Sequence, residues 1–194
     1  SKFSLRGGCT VMREIKLLPP TRAVVSVPGS KSSTHRVLIA AALSDGRCVI
    51  ENALESEDTH LTRGTWTAWG AAIAPEGEAL VVSGSSGRLT ACRDPVFLGN
   101  SGTSMRLLTA VAALARGRTV LTGTDRLKAR PIGDLLEGLV QVGAAARSVD
   151  GNGCPPVAIE GGGIGGGRAD LNCSRSSQFL SALLLVGPYT AKGV

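Results

Sequence analysis

Aromatic residues are scarce in this sequence, at 3% of 194 residues, whereas hydrophobic residues make up 43%. A core must therefore be built from Ala, Val, Leu and Ile. Proteins that bind single-stranded nucleic acid stack bases on aromatic side chains, so this scarcity argues against a nucleic-acid partner despite the net charge of +6. The basic residues stand singly beside Gly and Ser, a pattern that favours small anionic ligands over a polymer backbone.

Metal-binding and disulfide patterns are also missing. The cysteine count is odd, no two cysteines form a CxxC motif, and there are only two histidines. We therefore expect no metal site and no disulfide framework, but buried reduced thiols. The longest apolar runs, near 107–115 and 179–187, are too short to span a bilayer, and no apolar signal-peptide core stands near residue 1. These features predict a soluble, cytoplasmic protein without a membrane partner.

An internal repeat organises the chain. Three segments each join a Gly- and Ser-rich turn to an apolar helix: residues 28–43, 98–114 and 172–185. Arg36 and Arg106 occupy matching positions 70 residues apart, and Gly70 and Gly143, placed where helices should end, are 73 apart. A repeat of this length indicates one supersecondary unit used several times.

Each unit reads as strand, turn, helix, strand, helix and then a strand or hairpin. Predicted strands fall at 48–50, 79–84, 119–121 and 156–161, and apolar helices lie between them. This alternation predicts an α/β fold. The units would occupy about 25–92 and 93–164, with a third, incomplete unit at 165–194. We expect either a fragment or a partner that supplies the remainder.

The Gly- and Ser-rich turns are candidate anion sites, because a helix N-terminus presents unpaired N–H groups and partial positive charge. Two of these turns carry a basic residue. Lys31 lies in the first turn, and Arg36 follows five residues later, close enough to reach the same ligand. The segment 29–32 is not a Walker A motif, because Ser30 and not Gly precedes the lysine.

Several of these residues have ordinary structural interpretations. Ser32 taken alone is better explained as a helix cap, and Asp58 as an N-cap or first-turn acid. His35 would pack or face solvent, and neither histidine has an obvious partner. Arg130 precedes Pro131, which suits the first turn of a helix. We identify no acid–base pair from the sequence.

Four segments, 27–36, 98–106, 128–133 and 176–184, together resemble the 5-enolpyruvylshikimate-3-phosphate (EPSP) synthase family, also called 3-phosphoshikimate 1-carboxyvinyltransferase. The resemblance implies a transferase that moves the enolpyruvyl group of phosphoenolpyruvate to the 5-hydroxyl of shikimate 3-phosphate, without a cofactor, in the shikimate pathway toward chorismate and the aromatic amino acids. It also implies repeated βαβαββ units arranged as an inside-out α/β barrel, with a truncated third unit. Residues 1–24 would form a tail and the first strand, 25–194 the first domain, and the second domain would be absent.

The resemblance also implies roles for individual residues. The residues matching the shikimate 3-phosphate site are Lys31, Ser32, Arg36, Ser176, Ser177 and Gln178. Those matching the phosphoenolpyruvate site are Lys31, Gly102, Arg130 and Gln178. Asn100 would shape the loop around Gly102.

The family's general base and general acid lie in its second half, so the resemblance implies that this chain carries about half of a site. It would be inactive or very weak alone, and a complementary C-terminal half is a possible partner. Two alternatives remain at this stage: a non-catalytic or split-enzyme fragment that binds phosphorylated small molecules, and the related enolpyruvyl transferase that acts on UDP-N-acetylglucosamine.

Overall fold

The computed structural model describes residues 14, 16, 17, 19 and 22–194. The elements along these residues are α1 (Lys31–Leu43), β1 (Arg47–Ile50), α2 (Glu57–Ala68), β2 (Ala72–Glu76), β3 (Ala79–Ser83), β4 (Val96–Phe97), α3 (Gly102–Ala112), β5 (Gly117–Thr122), α4 (Asp125–Lys128), α5 (Gly133–Gln141), β6 (Ala145–Ser148), β7 (Val157–Gly161) and α6 (Gln178–Val186). A short 3₁₀ helix, Gly187–Tyr189, follows α6.

Two sheets repeat one topology. The first has the order β1-β3-β2 and the second the order β4-β5-β7-β6. In each sheet the strand that follows the first helix of the unit runs antiparallel to the last strand of a hairpin, as β1 does with β3 and β5 with β7. The hairpins β2–β3 and β6–β7 are also antiparallel. The α/β fold and the repetition predicted from the sequence are both present.

The second unit follows the predicted βαβαββ order, with the short helix α4 inserted. Its leading strand, β4, runs parallel to β5. The first unit differs, because residues 22–30, which lead into α1, form no leading strand. The edge of β1 that would receive this strand has no partner among the described residues. Most of the predicted tail at 1–24 lies outside them.

Helix α3 lies at the centre of the molecule. All of its residues except Arg106 are buried, and it packs against α6, α1, α2, β5 and β7. A helix that is apolar on every side is typical of a position enclosed by other elements. The scarce aromatics are also placed inside, since Trp66 and Trp69 are buried and meet edge to face with ring centroids 5.9 Å apart.

Two glycines allow the last strand of each sheet to approach a helix end. A Cβ atom on Gly84 would lie 2.1 Å from the carbonyl oxygen of Ser44, and one on Gly161 would lie 1.9 Å from that of Ala115. Neither distance is compatible with a side chain. The equivalent placement of the two glycines extends the repeat to the contact between helix and sheet.

Gly70 and Gly143 stand just beyond α2 and α5, with φ angles of +96° and +91°. These are the left-handed conformations that end helices at glycine, so the predicted helix ends are confirmed.

Other expectations had mixed outcomes. Pro131 precedes α5 by two positions, so it does not lie in the first turn of that helix as expected. The four described cysteines are half-buried and not fully buried. No helix among the described residues is long and apolar enough to cross a membrane.

We predict that Gly161→Ala lowers the free energy of unfolding by about 3 kcal/mol or more, because overpacking against a rigid backbone carbonyl requires the sheet to move. Gly64→Ala is the matched control. Gly64 lies inside α2 with nothing within 4 Å of an added Cβ, so alanine there should stabilise the chain by up to about 1 kcal/mol. Urea unfolding measures both changes. Equal effects of the two substitutions would contradict the close approach at Gly161.

Candidate active site

The first turns of four helices are joined at one place. Lys31 Nζ of α1 lies 2.9 Å from Asp58 Oδ2 of α2. Ser104 Oγ of α3 donates a hydrogen bond of 3.3 Å to the carbonyl oxygen of Asp58, and Gln178 Nε2 of α6 donates one of 3.1 Å to Thr103 Oγ1. Since each helix N-terminus carries partial positive charge, this junction attracts anions.

Two arginines flank the first turn of α3. Arg106 Nη1 donates to Gln178 Oε1 at 2.8 Å, and its guanidinium carbon lies 5.6 Å from the centre of the Phe179 ring. Arg130 Nη2 donates to Asn100 Oδ1 at 3.1 Å. Partial burial, and then the charge of Arg130, lower the pKa of the Arg106 guanidinium below its ordinary value. Two cations held this close favour a bound anion between them.

The backbone at Gly102 faces these guanidinium groups. A Cβ atom there would lie 2.8 Å from Arg130 Nη1 and 3.6 Å from Arg106 Nη1. Glycine therefore keeps open the space between the helix N-terminus and the two cations. A carboxylate entering that space could accept hydrogen bonds from the backbone and from an arginine at once.

Arg36 lies on the neighbouring helix α1. Its Nη1 donates to the carbonyl oxygen of Ser32 and its Nη2 donates to Ser181 Oγ, both at 3.0 Å. These bonds hold the guanidinium between α1 and α6 and leave other N–H donors available. Within the described part of the chain, the hydroxyls of Ser32 and Ser177 have no hydrogen-bond partner, so both can serve a ligand.

The charges at this junction are unbalanced. Among residues 22–194, Arg36, Arg106 and Arg130 form no ion pair with a carboxylate, and only Lys31 of the four cations does so. Asp58 keeps 25% of its side chain exposed in that pair. In the same described residues, no group of three or more His, Cys, Asp or Glu side chains could hold a metal. The arrangement suits a small ligand with several negative charges.

The EPSP synthase family model, which describes 3-phosphoshikimate 1-carboxyvinyltransferase, matches residues 18–194. The chain belongs to the EPSP synthase family. A 3-phosphoshikimate 1-carboxyvinyltransferase from Halorubrum lacusprofundi is 44% identical over 180 residues, which is 89% of this chain and 39% of that protein. Two solved structures of EPSP synthase from Acinetobacter baumannii match with a TM-score of 0.78 and 32% identity, over 86% of this chain and 38% of theirs. The chain thus spans about two fifths of these EPSP synthases.

The structure places the residues predicted from the EPSP synthase motifs in two adjoining groups. Lys31, Ser32 and Arg36 lie on α1, and Ser176 and Ser177 lie just before α6, where Ser181 links the two helices through Arg36. The second group consists of Gly102, Arg130 and Gln178. Gln178 contacts both Thr103 and Arg106, so it joins α6 to the first turn of α3. The roles assigned to these residues remain predictions.

Sequence reasoning matched Arg106 to Arg36 in the repeat but assigned it no role in the site, and it did not find the pairing of Lys31 with Asp58. The pairing joins residues 27 apart in the sequence and on different helices, so no local pattern indicates it. Asp58 does lie in the first turn of α2, as expected.

Two expectations about polar residues were wrong. Ser32 is not a helix cap, because the side chain of Ser30 accepts a hydrogen bond from Ser33 N and caps α1. Both histidines have partners: His35 Nδ1 lies 3.0 Å from Thr62 Oγ1, and His60 Nε2 lies 2.8 Å from a carboxylate oxygen of Glu55. His35 is fully buried.

Two cavities lie away from this junction. One, of about 520 Å³, is bounded by α2 and residues 92–97, and the other, of about 540 Å³, by α5 and β6. Neither cavity is lined by a predicted site residue. We place the candidate site at the helix junction because the arginines without carboxylate partners among the described residues are there.

The burial of His35 predicts a pH-dependent stability. Burial lowers the pKa of His35 from 6.5 to about 4, with Asp58 opposing the shift and Lys31 and Arg36 adding to it. The unfolded chain therefore binds a proton that the folded chain does not. Stability contributed by neutral His35 is present above pH 6.5 and is lost as the pH falls toward 4, by roughly 3 kcal/mol at about 1.4 kcal/mol per pKa unit.

Chemical unfolding at several pH values between 6.5 and 4, in the wild type and in His35→Asn, measures this loss. Both proteins contain the same carboxylates and His60. Subtracting the pH dependence of one unfolding free energy from that of the other therefore removes the contribution of those groups. The variant should lose less stability over that interval. Parallel curves would show that His35 is not buried in its neutral form.

Proposed function

We propose that this chain provides one wall of a site that joins phosphoenolpyruvate to shikimate 3-phosphate. The 5-hydroxyl oxygen of shikimate 3-phosphate adds to C2 of phosphoenolpyruvate while a proton goes to C3, giving a tetrahedral intermediate. Loss of a proton from C3 and of phosphate from C2 then gives the enolpyruvyl ether and inorganic phosphate. The observation that carries the proposal is the set of three arginines that have no carboxylate partner among the described residues and lie around converging helix N-termini.

The two groups of residues suit the two substrates. Arg36 offers donors for the carboxylate and phosphate of shikimate 3-phosphate, together with the hydroxyls of Ser32 and Ser177, which have no partner in the part of the chain that the structure describes. Ser176 lies beside them. Gly102 and Arg130 offer backbone and guanidinium donors for the carboxylate of phosphoenolpyruvate. A guanidinium can bind a carboxylate through two parallel hydrogen bonds, which would orient each substrate as well as hold it.

Lys31 and Gln178 stand where the two groups meet, so we propose that each contacts both substrates. Gln178 already joins α6 to the first turn of α3. Lys31 is half-exposed at the start of α1 and can place its charge on either ligand. Neutralising two polyanions in one site removes much of the repulsion between them, and this is a large part of catalysis when substrates must be brought together.

The general base and general acid of the reaction would come from residues outside this chain, in a complementary C-terminal half whether covalently joined or separate. The chain would then position the substrates and complete the site when the second wall closes over it. The cytoplasm is the compartment we expect for this chemistry, together with the other steps of aromatic amino acid biosynthesis.

Calorimetric titration of the chain with shikimate 3-phosphate tests the first group of residues. We expect Arg36→Ala to weaken binding by about tenfold to a hundredfold, the loss typical of a charged hydrogen bond. Arg118→Ala is the matched control. It removes the same charge, but from an arginine of β5 that is paired with Glu160 of β7. UDP-N-acetylglucosamine should not bind. Binding that survives Arg36→Ala, or that prefers the nucleotide sugar, would refute the assignment.

The second group is tested with Gly102→Ala. The added methyl would lie 2.8 Å from Arg130 Nη1, so we expect it to displace the guanidinium and fill the space for a carboxylate. Phosphoenolpyruvate affinity, measured with shikimate 3-phosphate present, should fall about tenfold or more, while shikimate 3-phosphate affinity changes little. Gly46→Ala, with nothing within 4 Å of its Cβ, should change neither. An equal loss for both ligands would instead indicate a general disturbance of α3.

A further inference from the structure

A chain of hydrogen bonds between buried side chains crosses three helices behind the candidate site. It starts at His35 Nδ1, which lies 3.0 Å from Thr62 Oγ1. Thr62 Oγ1 lies 2.9 Å from Ser104 Oγ, and Ser104 Oγ lies 2.6 Å from Ser101 Oγ. All four side chains are at most 1% exposed. Polar groups buried this deeply are costly unless they are satisfied, so the chain is a built feature of the core.

Thr62 differs from two other buried threonines in these helices, Thr65 and Thr109. Thr65 and Thr109 each donate to the carbonyl oxygen four residues earlier in their own helix, at 2.9 and 2.6 Å. Such bonds satisfy a buried hydroxyl locally. Thr62 instead directs its hydroxyl across helices, to His35 on α1 and Ser104 on α3. The hydroxyl of Thr62 is therefore satisfied by other helices and not by the backbone of its own helix.

The chain has one direction in which nearly every group is satisfied. If His35 Nδ1 carries the proton, it donates to Thr62, Thr62 donates to Ser104, and Ser104 donates to the carbonyl oxygen of Asp58 at 3.3 Å. Ser101 then donates to Ser104 Oγ and accepts from Ser104 N. His35 Nε2 has no partner among the described residues, and this tautomer leaves a lone pair there and not a buried N–H.

The hydrogen-bonded side chains reach the candidate site at two points. At one end, the side chain of Ser101 caps α3, and Gly102 is the first residue of that helix. At the branch, the backbone of Asp58 accepts a hydrogen bond, and the carboxylate of the same residue holds Lys31. This series of hydrogen bonds therefore connects the helix turn that carries Lys31 with the helix turn that carries Gly102.

We propose that His35 is a positioning residue that, through Thr62 and Ser104, holds the first turn of α3 at a fixed place relative to α1 and α2. His35 does not touch either ligand in this scheme. The effect of His35 on phosphoenolpyruvate binding rests on the proposed function, because His35 would act by placing the Gly102 backbone. The effect of His35 on the position of the first turn of α3 does not depend on which ligand binds there.

The test compares Thr62→Val with Thr109→Val. Both remove one buried hydroxyl without changing the shape of the side chain, but only Thr62 belongs to the chain. We expect Thr62→Val to shift the backbone amide resonances of Gly102 and Thr103, and to weaken phosphoenolpyruvate binding by about two- to tenfold. Thr109→Val should leave these resonances and the affinity close to those of the wild type.

A second pair of variants and a spectroscopic readout address His35 directly. The carbon and nitrogen shifts of the His35 ring should report the Nδ1–H tautomer. Because an Asn side chain can place a polar atom near the position of Nδ1, His35→Asn should retain the wild-type Gly102 resonance better than His35→Leu. This comparison still decides the matter if Thr62→Val folds poorly.

The proposal is overturned if Thr62→Val and Thr109→Val give the same Gly102 resonance, or if His35→Asn and His35→Leu do. Failure of the proposed function has a different signature. The amide resonances would respond to Thr62→Val as expected while neither the wild type nor any variant bound phosphoenolpyruvate. The positioning role would then be supported and the assigned ligand rejected.

Discussion

The burial of α3 on all sides is the constraint on which the rest of this structure depends. Its apolar residues pack against three other helices and the second sheet, so its position is determined by several surfaces at once. Its first turn carries Gly102 and faces Arg106 and Arg130. The candidate site therefore rests on the best-packed element of the molecule, and small shifts of that helix would move the space between the two arginines.

The organisation of the fold could be predicted because its signals are local and repeated. Gly70 and Gly143 mark helix ends in matching positions, and the apolar runs between them have a helical pattern. The leading strand of the first unit could not be judged in this way. A strand requires a partner, and the order of residues does not reveal that the edge of β1 lacks one among the described residues.

The candidate site was predicted in part for a similar reason. Lys31, Arg36, Gly102 and Gln178 lie near the starts of helices that follow turns of recognisable composition. The partners that orient them cannot be recognised in the sequence. Asp58, Ser181 and Thr103 are ordinary helical residues, and their contacts appear only when the helices are packed together. The buried hydrogen bonds from His35 to Ser101 could not be predicted from the sequence for the same reason.

The separation of contacts along the chain has a consequence for folding. Each sheet closes between residues that are near in sequence, as in the pairing of Arg47 with Ser83. The bonds that assemble the candidate site join residues 72 and 145 positions apart, from Arg106 to Gln178 and from Arg36 to Ser181. Closing such long loops costs more entropy, so we infer that the sheets form early and that the anion-binding surface is among the last parts of the molecule to acquire its shape.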